Sequence, residues 1–176
     1  MRTFLTGFLV VTFLSSPFCS HAFEDRSSKH ILDNGLTVLV TEIPSSPVVS
    51  VYALIKAGSA TEGKFLGAGV SHFLEHMLFK GTHGRDVGDL AACIQSVGGT
   101  INASTGMDYT IYTITVPHGS FDVALDILSD MLANAEMDAQ EVERERNVIF
   151  SEMRMRNDNP DAKINELTFK NVFIVH

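Results

Sequence analysis

Between Gly67 and Lys80 the chain is almost entirely apolar, yet it carries two histidines and a glutamate. The apolar residues are distributed around the whole circumference of a predicted helix, and a helix with that pattern is buried in a folded domain. The three ionisable side chains therefore need partners, because an unpaired polar group inside a protein raises the free energy of the folded state. A glycine at position 81 ends the predicted helix.

The three ionisable residues belong to the sequence His-x-x-Glu-His. His72 and His76 are one turn apart on one face of a helix, and Glu75 lies beside them. Two imidazoles at that spacing can bind one tetrahedral zinc ion, which lowers the pKa of a bound water from about 15.7 to about 7. Glu75 is then placed to accept the proton of that water. The alternative is a pair of hydrogen-bonded core histidines, because so short a motif also occurs by chance.

A catalytic zinc ion has three protein ligands and one open position, so another element must supply the third ligand. Glu145 and Glu152 lie two turns apart on one stripe of a helix that is predicted from an Asp138 cap to about Asn157. Carboxylates that border a core need an ion pair or a metal. We take Glu152 as the ligand and Glu145 as a carboxylate that supports a ligating histidine. From periodicity alone, surface ion pairs with nearby arginines are an equal alternative; these are Arg144, Arg146 and Arg154.

The remaining sequence alternates strand and helix patterns. Runs rich in β-branched and aromatic residues predict strands at 30–33 and 37–41 around an Asn34-Gly35 turn, and at 48–57, 100–104 and 109–116. Helical spacing predicts helices from Asp86 or Gly88 to Val97, along an apolar stripe of Phe121, Leu125, Leu128 and Leu132, and from Pro160 onward. This order predicts an α+β fold, with helices packed on one face of a mainly antiparallel sheet.

The net charge and the two ends of the chain bear on its partners and its location. A formal net charge of −8 argues against a nucleic-acid partner, which requires a basic surface. Residues 1–22 have the pattern of a signal peptide, with Arg2, an apolar run over 4–14 and cleavage after Ala22. They predict a domain of residues 23–176 that is periplasmic or secreted; a retained membrane anchor is the alternative. The apolar end at 171–176 suggests that this domain is truncated.

Two separated blocks of the sequence resemble one family. The segment from Gly67 to Thr82 is similar to the inverted zinc motif of the pitrilysin/insulinase family, which includes the mitochondrial processing peptidase β subunit and bacterial relatives. The segment 145–153 resembles the helix that carries the third ligand in that family, and the 76 residues from His76 to Glu152 fit the family spacing. The resemblance covers residues 28–176. It implies Glu152 as the ligand, Glu145 as the supporting carboxylate and one Zn²⁺ per domain.

The resemblance also implies a function. A zinc-dependent metalloendopeptidase domain of this family hydrolyses peptide bonds through attack of a zinc-bound water, which Glu75 would activate. The resemblance implies that the domain is a half-shell of the mitochondrial-processing-peptidase type, and that a homologous second domain or subunit closes a chamber around a peptide or an unfolded polypeptide. The substrate adds a strand to a sheet edge. By position, that edge consists of Thr100, Asn102, Ala103 and Ser104.

Two other functions remain open at this point. The family has inactive paralogues, so the chain could be a non-catalytic scaffold or partner subunit; the complete set of His72, Glu75, His76 and Glu152 favours the enzyme. A zinc hydrolase acting on a small molecule is the third possibility, and the similarity of the 145–153 block argues against it. Family subunits are much longer than this chain. We therefore expect the 176 residues alone to be poorly active.

Overall fold

The computed structural model describes residues 26–172, which form two compact units that divide between Pro44 and Ser45. The predicted signal segment, residues 1–22, lies outside the described residues and stays a prediction. Along the part of the chain that is described, no helix combines the length and the hydrophobicity that crossing a bilayer requires.

The first unit contains an antiparallel hairpin of two strands, β1 (Ser27–Ile31) and β2 (Thr37–Thr41). The loop between them covers residues 32–36, so it is longer than the tight Asn-Gly turn that the sequence suggested. The Gly35 N–H donates to the Leu32 carbonyl oxygen at 2.8 Å, and Gly35 has a φ of 85°. Glycine adopts this left-handed conformation without a steric cost, which explains its position at the end of the turn.

The second unit is built on a three-stranded sheet of β3 (Val48–Ile55), β4 (Thr100–Thr105) and β5 (Thr110–Pro117). Strand β5 lies between β3 and β4, and both pairings are antiparallel. Alternate residues along β5 are buried, as expected for a strand that turns one face to the core. Within the described sheet, β4 is an edge strand, so one row of its backbone groups points away from β5.

Helices cover the core side of this sheet. Between residues 26 and 172 the helices are α1 (Val70–Met77), α2 (Asp89–Ser96), α3 (Phe121–Ala133), α4 (Ala139–Asn157) and α5 (Pro160–Val172). Leu90 and Ile94 of α2 pack with Ile127 of α3 and with Tyr112 and Ile114 of β5 in one apolar cluster. The α+β fold with an antiparallel sheet and helices on its core face is therefore confirmed.

The buried face of α3 follows the predicted apolar stripe only in part. Leu128 is buried and Leu132 packs against the core, whereas Phe121 and Leu125 are 41% and 47% exposed. Ala124 and Ile127, which lie outside the stripe, are fully buried. The small side chain of Ala124 allows the helix to approach the sheet closely. The apolar side of α3 is wide, so helical spacing alone could not determine which part of it faces β5.

The zinc-motif helix is shorter and more exposed than predicted. It begins at Val70 instead of Gly67, after Gly69, whose φ is 74°. Val70 and Leu74 are each about half exposed, so α1 is not buried on all sides as its composition suggested. The side that carries Glu75 and Met77 is buried, and this side positions the ionisable residues.

Candidate metal centre

The start of α1 is fixed by a carboxylate from the preceding irregular segment. The Glu62 side chain accepts hydrogen bonds from the Gly69 N–H at 3.1 Å and from the Ser71 N–H at 2.8 Å. These backbone groups have no partner within the helix, and a negative charge at this end interacts favourably with the helix dipole. Glu62 therefore replaces the N-cap side chain that Gly69 cannot supply, about one turn before His72, the first histidine of the motif.

The second element of the site is α4, which begins where the sequence predicted. The Asp138 carboxylate accepts from the Gln140 N–H at 2.8 Å and from the Glu141 N–H at 3.0 Å, so it caps the helix as expected. Helix α4 packs along α1. Glu145 and Glu152, two turns apart on α4, both reach side chains of α1.

Three potential metal ligands converge between these helices: His72, His76 and Glu152. The two Nε2 atoms are 3.1 Å apart, and a Glu152 carboxylate oxygen lies 3.7 Å from His72 Nε2 and 3.5 Å from His76 Nε2. Zinc bonds of about 2.0–2.1 Å at tetrahedral angles separate ligand atoms by about 3.3–3.4 Å. The observed separations bracket that value, so the three side chains fit a tetrahedral ion with one position left open.

A second carboxylate orients His76. Glu145 Oε1 lies 2.8 Å from His76 Nδ1, and Glu145 Oε2 lies 2.6 Å from Lys80 Nζ. A hydrogen bond at Nδ1 leaves Nε2 free for a metal, which is the usual arrangement around a ligating histidine. Burial alone would raise the pKa of the Glu145 carboxyl, but the hydrogen bonds from Lys80 and His76 outweigh burial and hold this pKa below its usual value. Glu145 therefore stays ionised at neutral pH.

The proposed base, Glu75, is held from the sheet. Glu75 is 9% exposed, and the Thr105 hydroxyl at the end of β4 donates to Glu75 Oε2 at 2.5 Å. The Thr105 hydroxyl oxygen also lies 3.3 Å from the Thr110 hydroxyl oxygen, and the Thr110 hydroxyl donates to the Ala57 carbonyl oxygen at 2.9 Å. Burial, and to a lesser extent the nearby charge of Glu75, raises the pKa of the Tyr112 phenol to about 12. This phenol is therefore protonated at neutral pH and cannot act as the general base in place of Glu75.

Comparison with known proteins decides the family. A profile described as insulinase, peptidase family M16, matches residues 37–174, which is most of the chain. The chain belongs to the insulinase family of peptidases. The resemblance inferred from the two sequence blocks is therefore confirmed.

Individual relatives agree with this assignment. An uncharacterized zinc protease of Rickettsia felis is 39% identical over 142 residues, which are 81% of this chain and 34% of the relative. A probable mitochondrial-processing peptidase subunit beta of Arabidopsis thaliana is 41% identical over 123 residues, 70% of this chain and 23% of the relative. A solved protease from Helicobacter pylori matches with a TM-score of 0.73 at 30% identity, over 79% of this chain and 34% of that chain. The insulinase-family chain spans 32–36% of the length of three bacterial relatives named as zinc proteases, and 23% of the Arabidopsis relative.

Two of the three arginines near the candidate ligands, Arg144 and Arg146, bind other carboxylates. Arg144 pairs with Glu141, and Arg146 pairs with Glu143, each one turn away on α4. Glu145 instead points toward α1, and its two oxygens meet His76 of α1 and Lys80 just beyond the end of α1. The alternative reading of Glu145 as a surface residue paired with these arginines is wrong.

The predicted substrate-strand residues all lie in β4, the edge strand of the described sheet. They divide between its two faces: Thr100, Asn102 and Ser104 are exposed, while Ala103 is half-buried. The Ala103 N–H donates to the Asn102 side-chain oxygen at 2.9 Å. This amide therefore points away from β5, to the open side of the strand, because amide directions alternate along a strand.

Sequence reasoning missed three residues that hold the site in place: Glu62, Lys80 and Thr105. Lys80 follows His76 by four residues, and in the helix that the sequence predicts as far as Lys80 this spacing could have linked the two, although α1 ends at Met77. Thr105 shares a strand face with Ala103 by the two-residue period of β4. Glu62 gave no periodic signal, because it lies between two single 3-10 turns, Ser59–Thr61 and Gly63–Phe65, that precede α1.

Proposed function

We propose that this chain is the zinc-binding catalytic domain of a metalloendopeptidase. The observation that carries the proposal is the convergence of His72 Nε2, His76 Nε2 and a Glu152 oxygen at 3.1–3.7 Å from one another. Nitrogen and carboxylate ligands in this number are typical of catalytic zinc sites, which keep one coordination position for water or substrate. Family membership supports the same conclusion.

The residues around the triad match the requirements of peptide hydrolysis. A zinc ion in this site would lower the pKa of a bound water and polarise the carbonyl group of a peptide bond. Glu75 would accept the proton of the attacking water and pass it to the leaving amine. Thr105 holds one oxygen of Glu75 and thereby fixes the direction of this carboxylate, and Glu145 holds His76 with Nε2 turned to the ligand cluster.

A non-catalytic partner subunit of the same family is the alternative function. Loss of the base or of a ligand would favour it, because a scaffold does not need them. Here Glu75 is buried and hydrogen-bonded, and all three ligands converge. The enzyme is therefore the better proposal. Because the chain covers about a third of its relatives' length, we also propose that a homologous second domain or subunit closes the substrate chamber.

Zinc content tests the metal site directly. We expect the purified 176-residue chain to bind one zinc ion, measured by elemental analysis and by calorimetric titration. An ion that binds only the folded state stabilises it, by about 2.7 kcal/mol at a free concentration about 100 times Kd. Removal of zinc by a chelator should therefore lower the midpoint of thermal unfolding. Zinc should restore the midpoint and Mg²⁺ should not, because Mg²⁺ disfavours imidazole ligands. A chain that binds no zinc refutes the proposal.

The substrate would bind along the open side of β4. We expect Ala103→Pro to raise KM for peptide cleavage by the full-length protein by about an order of magnitude, because the amide that would bond to the substrate is lost. Proline is tolerated on an edge strand where the N–H points outward, so the sheet should remain folded by circular dichroism. Asn102→Ala, which removes the side chain that now accepts from this amide, is the matched control and should not raise KM. An unchanged KM in folded Ala103→Pro would place the substrate elsewhere.

A further inference from the structure

The buried carboxylate of Glu145 is held at both oxygens, by His76 in the last turn of α1 and by Lys80, three residues past the end of α1. Oε1 meets His76 Nδ1 at 2.8 Å, and Oε2 meets Lys80 Nζ at 2.6 Å. Glu145 is 4% exposed, so these two groups, and not bulk water, set its orientation. Lys80 itself touches none of the three potential metal ligands. It reaches the site only through Glu145.

We propose that Lys80 is a positioning residue of the metal centre, which fixes the Glu145 carboxylate so that His76 presents Nε2 to the ion. This inference rests on the proposed zinc site. A carboxylate that is bonded at one oxygen can rotate about its last side-chain bond, whereas one that is bonded at both oxygens, here to His76 in α1 and to Lys80 just past the end of α1, cannot. Lys80 therefore keeps Oε1 on Nδ1, and with it the tautomer and the ring plane of His76.

The charge of Lys80 matters as well as its position. Without this ammonium group, Glu145 Oε2 would be an uncompensated charge in a buried site, and such a charge draws in water or turns toward another donor. Either response weakens the hydrogen bond at Nδ1. The expected result is weaker zinc binding by a chain that still folds. Removal of an ordinary surface ion pair would instead leave the zinc affinity unchanged.

Zinc affinity measured by competition with a coloured chelator tests this role on the 176-residue chain. Lys80→Met keeps the length of the side chain and removes its charge, and we expect zinc binding about tenfold weaker, the lower end for partners of ligating histidines. Lys163→Met is the matched control, because Lys163 forms an exposed ion pair with Glu166 on α5, and its zinc affinity should equal that of the unsubstituted chain. With Co²⁺ as the probe, the visible absorption should shift in Lys80→Met and not in Lys163→Met. Lys80→Gln carries the same expectation and is the variant to measure if Lys80→Met does not fold.

A double-mutant cycle tests whether Lys80 acts through Glu145. In Glu145→Gln the side chain is neutral and still offers an oxygen to His76, so it no longer needs Lys80. The double variant Lys80→Met/Glu145→Gln should then bind zinc no more weakly than Glu145→Gln alone. Unchanged affinity in the Lys80 variants, or losses that add in full in the double variant, would overturn the assignment. If the unsubstituted chain binds no zinc, the proposed function itself fails, and the two failures are thereby distinguished.

Discussion

Glu75→Gln is expected to abolish peptide cleavage by the chain assembled with the proposed second domain or subunit and to leave zinc bound. Glutamine has the shape of glutamate and can still accept the hydrogen bond from Thr105, but its amide cannot take up a proton from water. A positioned general base contributes about 10²–10⁴-fold to the rate of such reactions. Because Glu75 is not among the three converging ligands, zinc affinity should change little.

The measurement is kcat/KM on a peptide substrate together with zinc content per chain. Glu143→Gln is the control, because Glu143 lies exposed on α4 and pairs with Arg146 away from the site; its turnover should match that of the unsubstituted protein. Undiminished turnover in Glu75→Gln would remove Glu75 as the base.

The 176-residue chain alone should bind zinc yet show little cleavage, and efficient proteolysis by this chain would show that no second domain is needed.

The features that the sequence predicted well depend on residues close together in the chain. The Asp138 cap is an example, because its carboxylate bonds to amides two and three residues later. The His-x-x-Glu-His motif is another, since the helical period alone brings His72 and His76 to one face. Such signals need no knowledge of the rest of the fold.

Features that depend on distant contacts were predicted less well. The order of the sheet, with β5 between β3 and β4, joins strands more than fifty residues apart, and the pattern of each strand is compatible with either neighbour. The rotation of α3 is fixed by the sheet and by Arg85, which bonds to Asp126 and Asp130. The exposed part of α1 likewise depends on which elements pack against it, and composition does not contain that information.

The third ligand illustrates the boundary between these two cases. Periodicity placed Glu145 and Glu152 on one stripe of α4 but could not tell a ligand from a surface ion pair, because the answer depends on how α4 meets α1. The family resemblance implied the assignment of Glu152. The structure brings its oxygen to both histidines and turns Glu145 to the far nitrogen of His76, where it cannot reach the same ion.

Glu152→Gln is accordingly expected to weaken zinc binding by about 100-fold or more while leaving the metal-free chain as stable as before. A four-ligand zinc site binds with about 10–16 kcal/mol, so one ligand accounts for roughly 3 kcal/mol, or about two orders of magnitude in Kd. Glu152 supplies the one negative charge of the triad, and an amide is a poor substitute for it. Its side chain is 40% exposed, so core packing does not depend on it.

Two measurements separate this outcome from a general loss of structure. Thermal unfolding of the metal-free chain should be the same for Glu152→Gln and for the unsubstituted protein, while the stabilisation by added zinc should be greatly reduced. Glu143→Gln, the same chemical change on the same helix, should alter neither quantity. Equal zinc affinity in Glu152→Gln would assign the third ligand to another acidic residue. Loss of stability without zinc would instead mean that Glu152 holds α4 against α1 as a structural contact, because an exposed ligand has no effect on folding until its ion is present.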